Sequence, residues 1–481
     1  MNLSSVKAIL RILSFVFLFQ TFAYIFVLPI TWIFKEDSSP FYYSLSISLA
    51  SFLLIRLFTR KNNNFDFKKR EGYIVVVSGW LILFLTGVLP YLFSQSIPHF
   101  VDALFEAVSG FTTTGSSILS DIEALPKSIL YWRSLTHWIG GIGIISLVII
   151  ILPTMNAGGY KMFSLESSLQ EKMHPRIKTV GLTLLYIYLT LTFSQTLLMM
   201  LGGMNWYEAL CHSYGTVATG GFSPKNDSLA GYSPYIQYIA TLFMFLAGVN
   251  FMVHYFIFKR NFKISLRNEE FLFYTKVVAL FTFLVTLILI FQANMPWEVA
   301  FRSSIFNVVS IISCTGFCNT DYMLWPVLGW LLMFLLLFAG GSIGSTSGGI
   351  KMARHLIVLK NINATLFKAV HRNSVYSIRL NGNPVSDENN RCVLAFIALY
   401  LITFVILTLL LIFDGLEIPD AASAIATGMA GVGPGLFKVG PVGNFSHFHD
   451  FSKIIMSVAM FTGRLEILTL FAIFTRAFWR Y

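Results

Sequence analysis

Four times along this chain, an apolar segment too short to cross a bilayer ends in a turn of small residues and lies between long apolar runs. The short segments lie near 100–112, 205–217, 297–313 and 419–430. The long runs, such as Tyr73 to Phe93, Gly181 to Leu201, Tyr238 to Phe258 and Val393 to Phe413, have the length a span requires. A helix rising 1.5 Å per residue needs about 20 residues to cross a hydrocarbon core of roughly 30 Å. A half-length apolar helix between full spans reads as re-entrant, since lipid leaves irregular backbone no place except against protein or a wet cavity. Two more helices, near 10–34 and 41–59, precede the first unit, and a basic loop from Arg60 to Arg70 separates them from it.

The chain is 56% hydrophobic and 12% charged, against roughly 25% charged in a soluble domain. Too little polar surface remains to cover a water-soluble body. Lys7 and Arg11 precede an apolar stretch from Ile12 to Phe34, too long for a secretory signal and without a cleavage site, so a retained helix is expected. The formal charge of +11 would suggest nucleic acid in a soluble protein. Here most of the basic residues fall in the N-terminus, 56–71, 155–180, 259–276, 351–391 and the last turn, which is the positive-inside pattern. Ten spans follow, with both termini cytoplasmic, and no basic-aromatic nucleic-acid module is visible. Cys211, Cys314, Cys318 and Cys392 form no zinc set and read as buried free thiols.

The four turns are Thr112-Thr113-Thr114-Gly115, Ala218-Thr219-Gly220-Gly221, Cys314-Thr315-Gly316 and Gly431-Val432-Gly433. Gly115, Gly220, Gly316 and Gly433 are taken as equivalent ends of an x-Thr-Gly core, with Val432 replacing threonine in the fourth copy. A dehydrated cation needs oxygens in place of water, and inward-pointing backbone carbonyls supply them. Glycine permits the dihedrals and leaves the lumen open. Each re-entrant helix would also turn its carbonyl end, about half a negative charge, toward the ion. The fold class expected is an all-α polytopic membrane protein with two N-terminal helices and four helix–pore-loop–helix repeats around a pseudo-fourfold pore. Its divisions are 1–70 (helix pair and basic loop), 71–175, 176–268, 269–380 and 381–481 (repeats one to four). Asp102, Glu106, Glu208, Glu298, Glu417 and Asp420 are read as complementing the re-entrant helix N-termini or drawing cations to the outer mouth.

These residues resemble the Trk/Ktr/HKT superfamily of potassium transporters, in its TrkH branch. The matching stretches are Ser109 to Gly115, Trp138 to Ile144 with Leu152-Pro153, Ala218 to Ser223, Gly340 to Lys351, Gly433-Pro434-Gly435, and Gly463-Arg464-Leu465-Glu466-Ile467. The resemblance implies potassium uptake across a bacterial inner membrane, a homodimer, and a cytosolic nucleotide-binding ring (NAD- or ATP-type) that gates it. No Walker or GxGxxG-helix motif appears in this chain, so nucleotide sensing falls to that partner and no cofactor is expected here beyond the transported K+. Members with serine for the first filter glycine tend to pass sodium; this chain keeps glycine. The Gly431-Val432 pair departs from the Asn-Ile-like pair usual in this branch.

Two features are expected beneath the turns. Gly340, Gly341, Ser342, Gly344, Ser345, Thr346, Ser347, Gly348 and Gly349, followed by Lys351, read from the residues alone either as an exit turn or as a break within the span. The resemblance implies the second, an intramembrane gating loop. Arg464 lies within the last apolar stretch, Ile454 to Trp479, where a charge costs about 2.5–3.5 kcal/mol on insertion scales. It is read as positive charge under the filter, with a structural brace as the other reading, and Glu466, on another helix face, as touching a neighbouring element. Lys351, Arg354, Lys360, Lys368, Arg372 and Arg379 offer a docking face for the regulatory ring or a contact with anionic lipid. The alternative function is a proton- or sodium-coupled secondary transporter, though such folds usually carry two inverted repeats. A membrane enzyme finds no support: His447, His449 and Asp450 fall in one solvated loop, and His137 and His254 stand alone.

Overall fold

The computed structural model describes residues 3–59, 69–151, 177–261, 267–371, 374, 377–465 and 467–480. The chain is a helical membrane protein. Among the described residues, six helices are long and apolar enough to cross a bilayer, and a bent pair, taken as one span, makes a seventh. The expectation on Leu152-Pro153, on most of the 155–180 segment, on Arg372 and on Glu466 lies outside the described residues.

Leu3–Ile33 and Ser39–Phe58 form the N-terminal antiparallel pair, the first helix starting earlier than hydropathy suggests because polar Ser4, Ser5 and Lys7 continue its turns. Four units follow. Their first helices are Lys69–Gly87 continued by Leu89–Phe93, Ile177–Leu201, Glu269–Phe291 and Asp387–Phe413. Their short helices are Phe100–Phe111, Trp206–Ala218, Trp297–Ile312 and Ile418–Ala430. Side-chain caps start several helices: Asn205 accepts from Glu208 N, Asn268 from Phe271 N and Ser386 from Asn389 N, each satisfying a donor that the first turn leaves orphaned.

The short helices are the most buried, as expected of segments enclosed by protein. In Ile418–Ala430, ten residues of thirteen are buried, Asp420 to Met429 with few gaps. The first helices instead leave large apolar side chains exposed along one side, among them Phe193, Leu280, Phe283 and Leu409. Such a continuous apolar surface suits lipid and no aqueous boundary.

The second helices depart from the simple pattern. Lys127–Ile151 is a single helix of 25 residues. In repeat two, the run expected to cross unbroken from Tyr238 to Phe258 bends by 102° between Pro234–Ala247 and Phe251–Phe258. The break has a local cause: Asn250 leaves the helix to cap Met252 N, and Gly248 turns its carbonyl to Ser342 N. In repeat three, Val327–Leu336 stops after ten residues and the chain re-forms a helix only at Met352–Val370. In repeat four, the expected stretch from Ile454 is divided into Asp450–Arg464, Ile467–Ile473 and Arg476–Arg480.

Candidate functional site

The four turns share one backbone conformation. Each short helix ends on a residue in the left-handed region: Thr113 (φ 55°), Thr219 (56°), Cys314 (59°) and Gly431 (71°). The next N–H then reaches back to the carbonyl five residues earlier. Thr114 bonds Ser109 at 2.9 Å, Gly220 bonds Gly215 at 2.7 Å, Thr315 bonds Ser310 at 2.8 Å and Val432 bonds Thr427 at 3.1 Å. This is the closing bond of a left-handed helix C-terminus. One residue on, φ is positive again, at Gly115 (85°), Gly221 (81°), Gly316 (79°) and Gly433 (101°). Gly221, not Gly220, therefore matches Gly115, Gly316 and Gly433. Pairing by the Thr-Gly letters misled by one residue, because Gly220 stands where the other turns have Thr114, Thr315 and Val432.

The turns close into a ring. A Cβ on Gly115 would lie 2.1 Å from the Gly220 carbonyl oxygen, and one on Gly221 would lie 2.2 Å from that of Thr315. One on Gly316 would lie 1.7 Å from the Val432 oxygen, and one on Gly433 2.7 Å from that of Thr114. Each glycine thus sits against the same carbonyl position of the next turn, and the fourth returns to the first. Ser116 Oγ donates to Gly433 O at 3.2 Å, Leu229 N to Cys318 O at 3.0 Å, and Tyr322 Oη to Gly435 O at 2.6 Å, sewing three of the seams. Thr112, Thr113, Thr114, Ala218, Thr219, Cys314, Thr315 and Val432 are buried. The threonine hydroxyls bind locally, Thr112 to Val108 O and Thr219 to Ala218 O.

His137 holds the first two turns together, a role its isolation in the sequence concealed. Its Nε2 accepts from Phe222 N at 3.1 Å, so Nδ1 carries the proton and donates to Gly110 O at 2.7 Å. The ring fills the space a side chain at position 220 would need: a Cβ there would lie 2.4 Å from it. That explains a glycine where the other turns carry Thr or Val.

Below the turns lies the loop from 337 to 351, most of it buried or half-buried, with Gly344 exposed. Thr346 Oγ1 donates to Val217 O at 3.0 Å, Ser342 N to Gly248 O at 2.8 Å, and Phe251 N to Gly344 O at 3.1 Å. A Cβ on Gly348 would strike Ala430 O at 2.3 Å, which places the loop against the end of the fourth short helix. Gly340, Gly341, Ser345, Ser347 and Gly349 are buried too, with Ser345 and Ser347 hydroxyls 2.6 Å apart and Lys351 Nζ donating to Ser347 O. Arg464 donates Nη1 to Thr346 O at 2.9 Å and Nη2 to Gly140 O at 2.8 Å, linking the loop to repeat one. Glu270, which nothing in the sequence singles out, ties the middle of the loop to the helix that follows it: its Oε1 accepts from Ile343 N at 2.7 Å and Ala353 N at 3.1 Å.

The acids do not form one set. Glu106 is fully buried in an ion pair with Arg133, so neither expected role fits it; it lies two turns into its helix, beyond the N-terminus. Glu298 pairs with Arg302, Glu417 and Asp420 with Lys438, Asp102 with Lys453, and Glu208 with Lys225. Cys211, Cys314 and Cys318 are buried free thiols and Cys392 is half-buried.

A four-unit ring of backbone carbonyls, enclosed by spanning helices and underlain by a buried loop, defines a membrane protein of the cation-pathway class. The sequence matches the TrkH family of cation transport proteins over residues 39–481, and the chain belongs to that family. It is 35% identical over 424 residues to the Trk system potassium uptake protein TrkH of Escherichia coli K12, covering 86% of this chain and 87% of that one. The Trk system potassium uptake protein TrkG of the same organism is 30% identical over 490 residues and the full length of both. The crystal structure of the potassium transporter TrkH from Vibrio parahaemolyticus superposes with a TM-score of 0.89 at 30% identity, over the whole of both chains.

Proposed function

We propose that this chain is a potassium uptake protein of a bacterial inner membrane, with both termini cytoplasmic, and not an enzyme. The observation that carries the reading is the closed ring of Thr114, Gly220, Thr315 and Val432 carbonyls, each against the neighbouring turn's glycine. Oxygens held by backbone hydrogen bonds replace a hydration shell without having to reorganise as the ion enters. With Gly221 in register, all four terminal positions are glycine, the pattern of the potassium-selective members. The Gly431-Val432 pair changes side chains but leaves the carbonyls, so selectivity is retained.

The loop from Gly340 to Lys351 is the gate. Its small residues let it move with little volume displaced, and its hydrogen bonds to repeat two and to Arg464 of repeat four hold it under the ring. The helix Met352–Val370 runs straight out of the loop and carries Lys360 and Lys368, with Arg379 beyond it; Arg354, expected on the same face, is instead buried against the Phe396 ring. Lys360 is fastened to Glu269 and to Arg379 O, at the start of the helix whose Glu270 grips the loop. A cytosolic nucleotide-binding ring docked on this face, in a homodimer of this chain, would pull on the gate directly. The test is uptake in cells without potassium transporters of their own: growth on low potassium and thallium influx are expected, with little sodium influx. Sodium passing as readily as potassium would overturn the reading. A reversal potential displaced from the potassium equilibrium by a proton or sodium gradient would make it a coupled transporter instead.

A further inference from the structure

Each short helix carries a residue eight positions before its ring carbonyl (114 − 106, 220 − 212, 315 − 307, 432 − 424), and three of these four tie down the segment that leaves the turn. His212 Nε2 lies 3.1 Å from Ser223 Oγ. Asn307 Nδ2 donates to Asn319 Oδ1 at 2.8 Å and to Thr320 Oγ1 at 3.2 Å. Repeat four has Ala424 there, and neighbouring Ser423 takes over, accepting from Leu436 N. In repeat one the residue is Glu106, the only one of the four that carries a carboxylate.

Glu106 and Arg133 are 0% and 1% exposed. Glu106 Oε1 accepts from Arg133 Nε at 2.8 Å and lies 2.7 Å from Nη2; Oε2 accepts from Ile118 N at 3.1 Å and Ser117 Oγ at 3.2 Å. Arg133 also reaches the second turn: Nη1 donates to Ser223 O at 3.4 Å, and the guanidinium lies 4.1 Å from the Phe222 ring centre. One ion pair thus holds the outgoing segments of turns one and two. Buried ion pairs are poor sources of net stability, since apolar residues of similar volume often serve as well. Here two N–H groups of the planar guanidinium converge on Glu106 Oε1, a charge-assisted contact that fixes direction and distance. Ser423 makes one such tether without charge, so tethering alone does not require an ion pair; this pair adds to the neutral His137 bridge a charged contact that reaches both outgoing segments.

We propose that Glu106 and Arg133 are positioning residues for ion discrimination, setting the distance between the first two carbonyls of the ring. This rests on reading the ring as the selectivity filter. The experiment uses the purified full chain in proteoliposomes and measures the potassium-to-sodium permeability ratio, a quantity independent of how much protein folds. Glu106→Gln is expected to lower the ratio about three- to tenfold, the equivalent of one ordinary hydrogen bond. Arg133→Lys keeps the charge but not the fork and should fall between that variant and the parent. The double variant Glu106→Leu with Arg133→Met replaces the pair by apolar volume, so it should fold with near-parental thermal stability yet discriminate poorly. A double variant that conducts potassium with the parental ratio overturns the proposal while leaving the filter reading intact. A parent chain that shows no preference between the two ions overturns the filter reading itself.

Discussion

At the turns, four repeats with different letters adopt one backbone; a few residues below, no two repeats are alike. Thr113, Thr219, Cys314 and Gly431 share the left-handed region, and the glycines two residues on share the next positive φ. Beneath them, repeat two bends by 102°, repeat three breaks into a loop, repeat four ends a helix at Arg464, and repeat one alone runs on as a single 25-residue helix. A ring that surrounds an ion on one axis needs equal partners. A device that opens needs elements that move differently, and equality would cancel that. The asymmetric layer is held by hydrogen bonds from side chains that differ between repeats, whereas the ring repeats one close approach of glycine to a neighbouring carbonyl, with no room there for a side chain.

The largest effect expected from this difference comes from breaking the ring's equality. Gly316→Ala would put a methyl 1.7 Å from the Val432 oxygen at a residue with φ 79°. The left-handed conformation alone costs a non-glycine residue roughly 1–2 kcal/mol, and the overlap forces the two turns apart. Potassium influx should be lost, with the protein still inserted and monodisperse in detergent. Retention of parental influx would mean that the ring tolerates unequal turns. The next effect is of opposite sign and concerns the lower layer. Arg464→Gln removes the bonds to Thr346 O and Gly140 O, leaving buried acceptors that each cost about 1–3 kcal/mol when unpaired. Unregulated thallium influx should rise several-fold, as it should when the loop is shortened between Ile343 and Thr346. If both changes leave influx and its regulation untouched, the loop is not the gate.

The regularity was readable; of the asymmetry, the small-residue run from Gly340 to Gly349 and the charge at Arg464 were, and the rest was not. The short helices fall within a residue or so of their expected ends, because apolar periodicity and the small polar residues after it mark a helix stop. Lettering failed at Gly220, where register is set by the return bond to Gly215 and by the His137 ring behind it, contacts between distant segments. The bend at Gly248 escaped hydropathy for a related reason: Phe251–Phe258 is as apolar as the helix before it, and only Asn250 hints at a cap. Glu106 looked like one acid among several near a helix start; its partner Arg133 lies on another helix, and nothing local distinguishes a buried carboxylate from a solvated one.

A finer cut through the lower layer separates charge from hydrogen bonding. Glu270→Ala leaves Ile343 N within the loop and Ala353 N in the helix after it without their acceptor. Glu270→Gln keeps an oxygen at the same place. The first should raise unregulated influx about two- to tenfold, the range of a lost hydrogen bond, and the second should stay near the parent. Equal effects from both would assign the grip to charge instead.

The smallest effect belongs to the external seam between repeats one and two, where Lys225 Nζ lies 3.2 Å from Glu123 in the loops after the turns. A backbone hydrogen bond from Asn226, then Lys225 itself, lowers the Glu123 carboxyl below its ordinary 4.5. The hydrogen bond to Glu123 raises Lys225 above its ordinary 10.5. The carboxylate's contribution is therefore complete above pH 4.5 and is lost as pH falls through its lowered value; the amine's is complete below pH 10.5 and is lost as pH rises through its raised one. Both groups are substantially in water, so screening leaves little of it. Glu123→Gln should move the melting temperature at pH 7 by less than about 1 °C, leave the permeability ratio unchanged, and reduce the fall in melting temperature on acidification. A shift of several degrees at pH 7 would show that the ring leans on its external loops. The equality of the four turns would then depend on solvent-exposed contacts that differ between repeats, and the separation between a symmetric ring and an asymmetric layer would have to be redrawn.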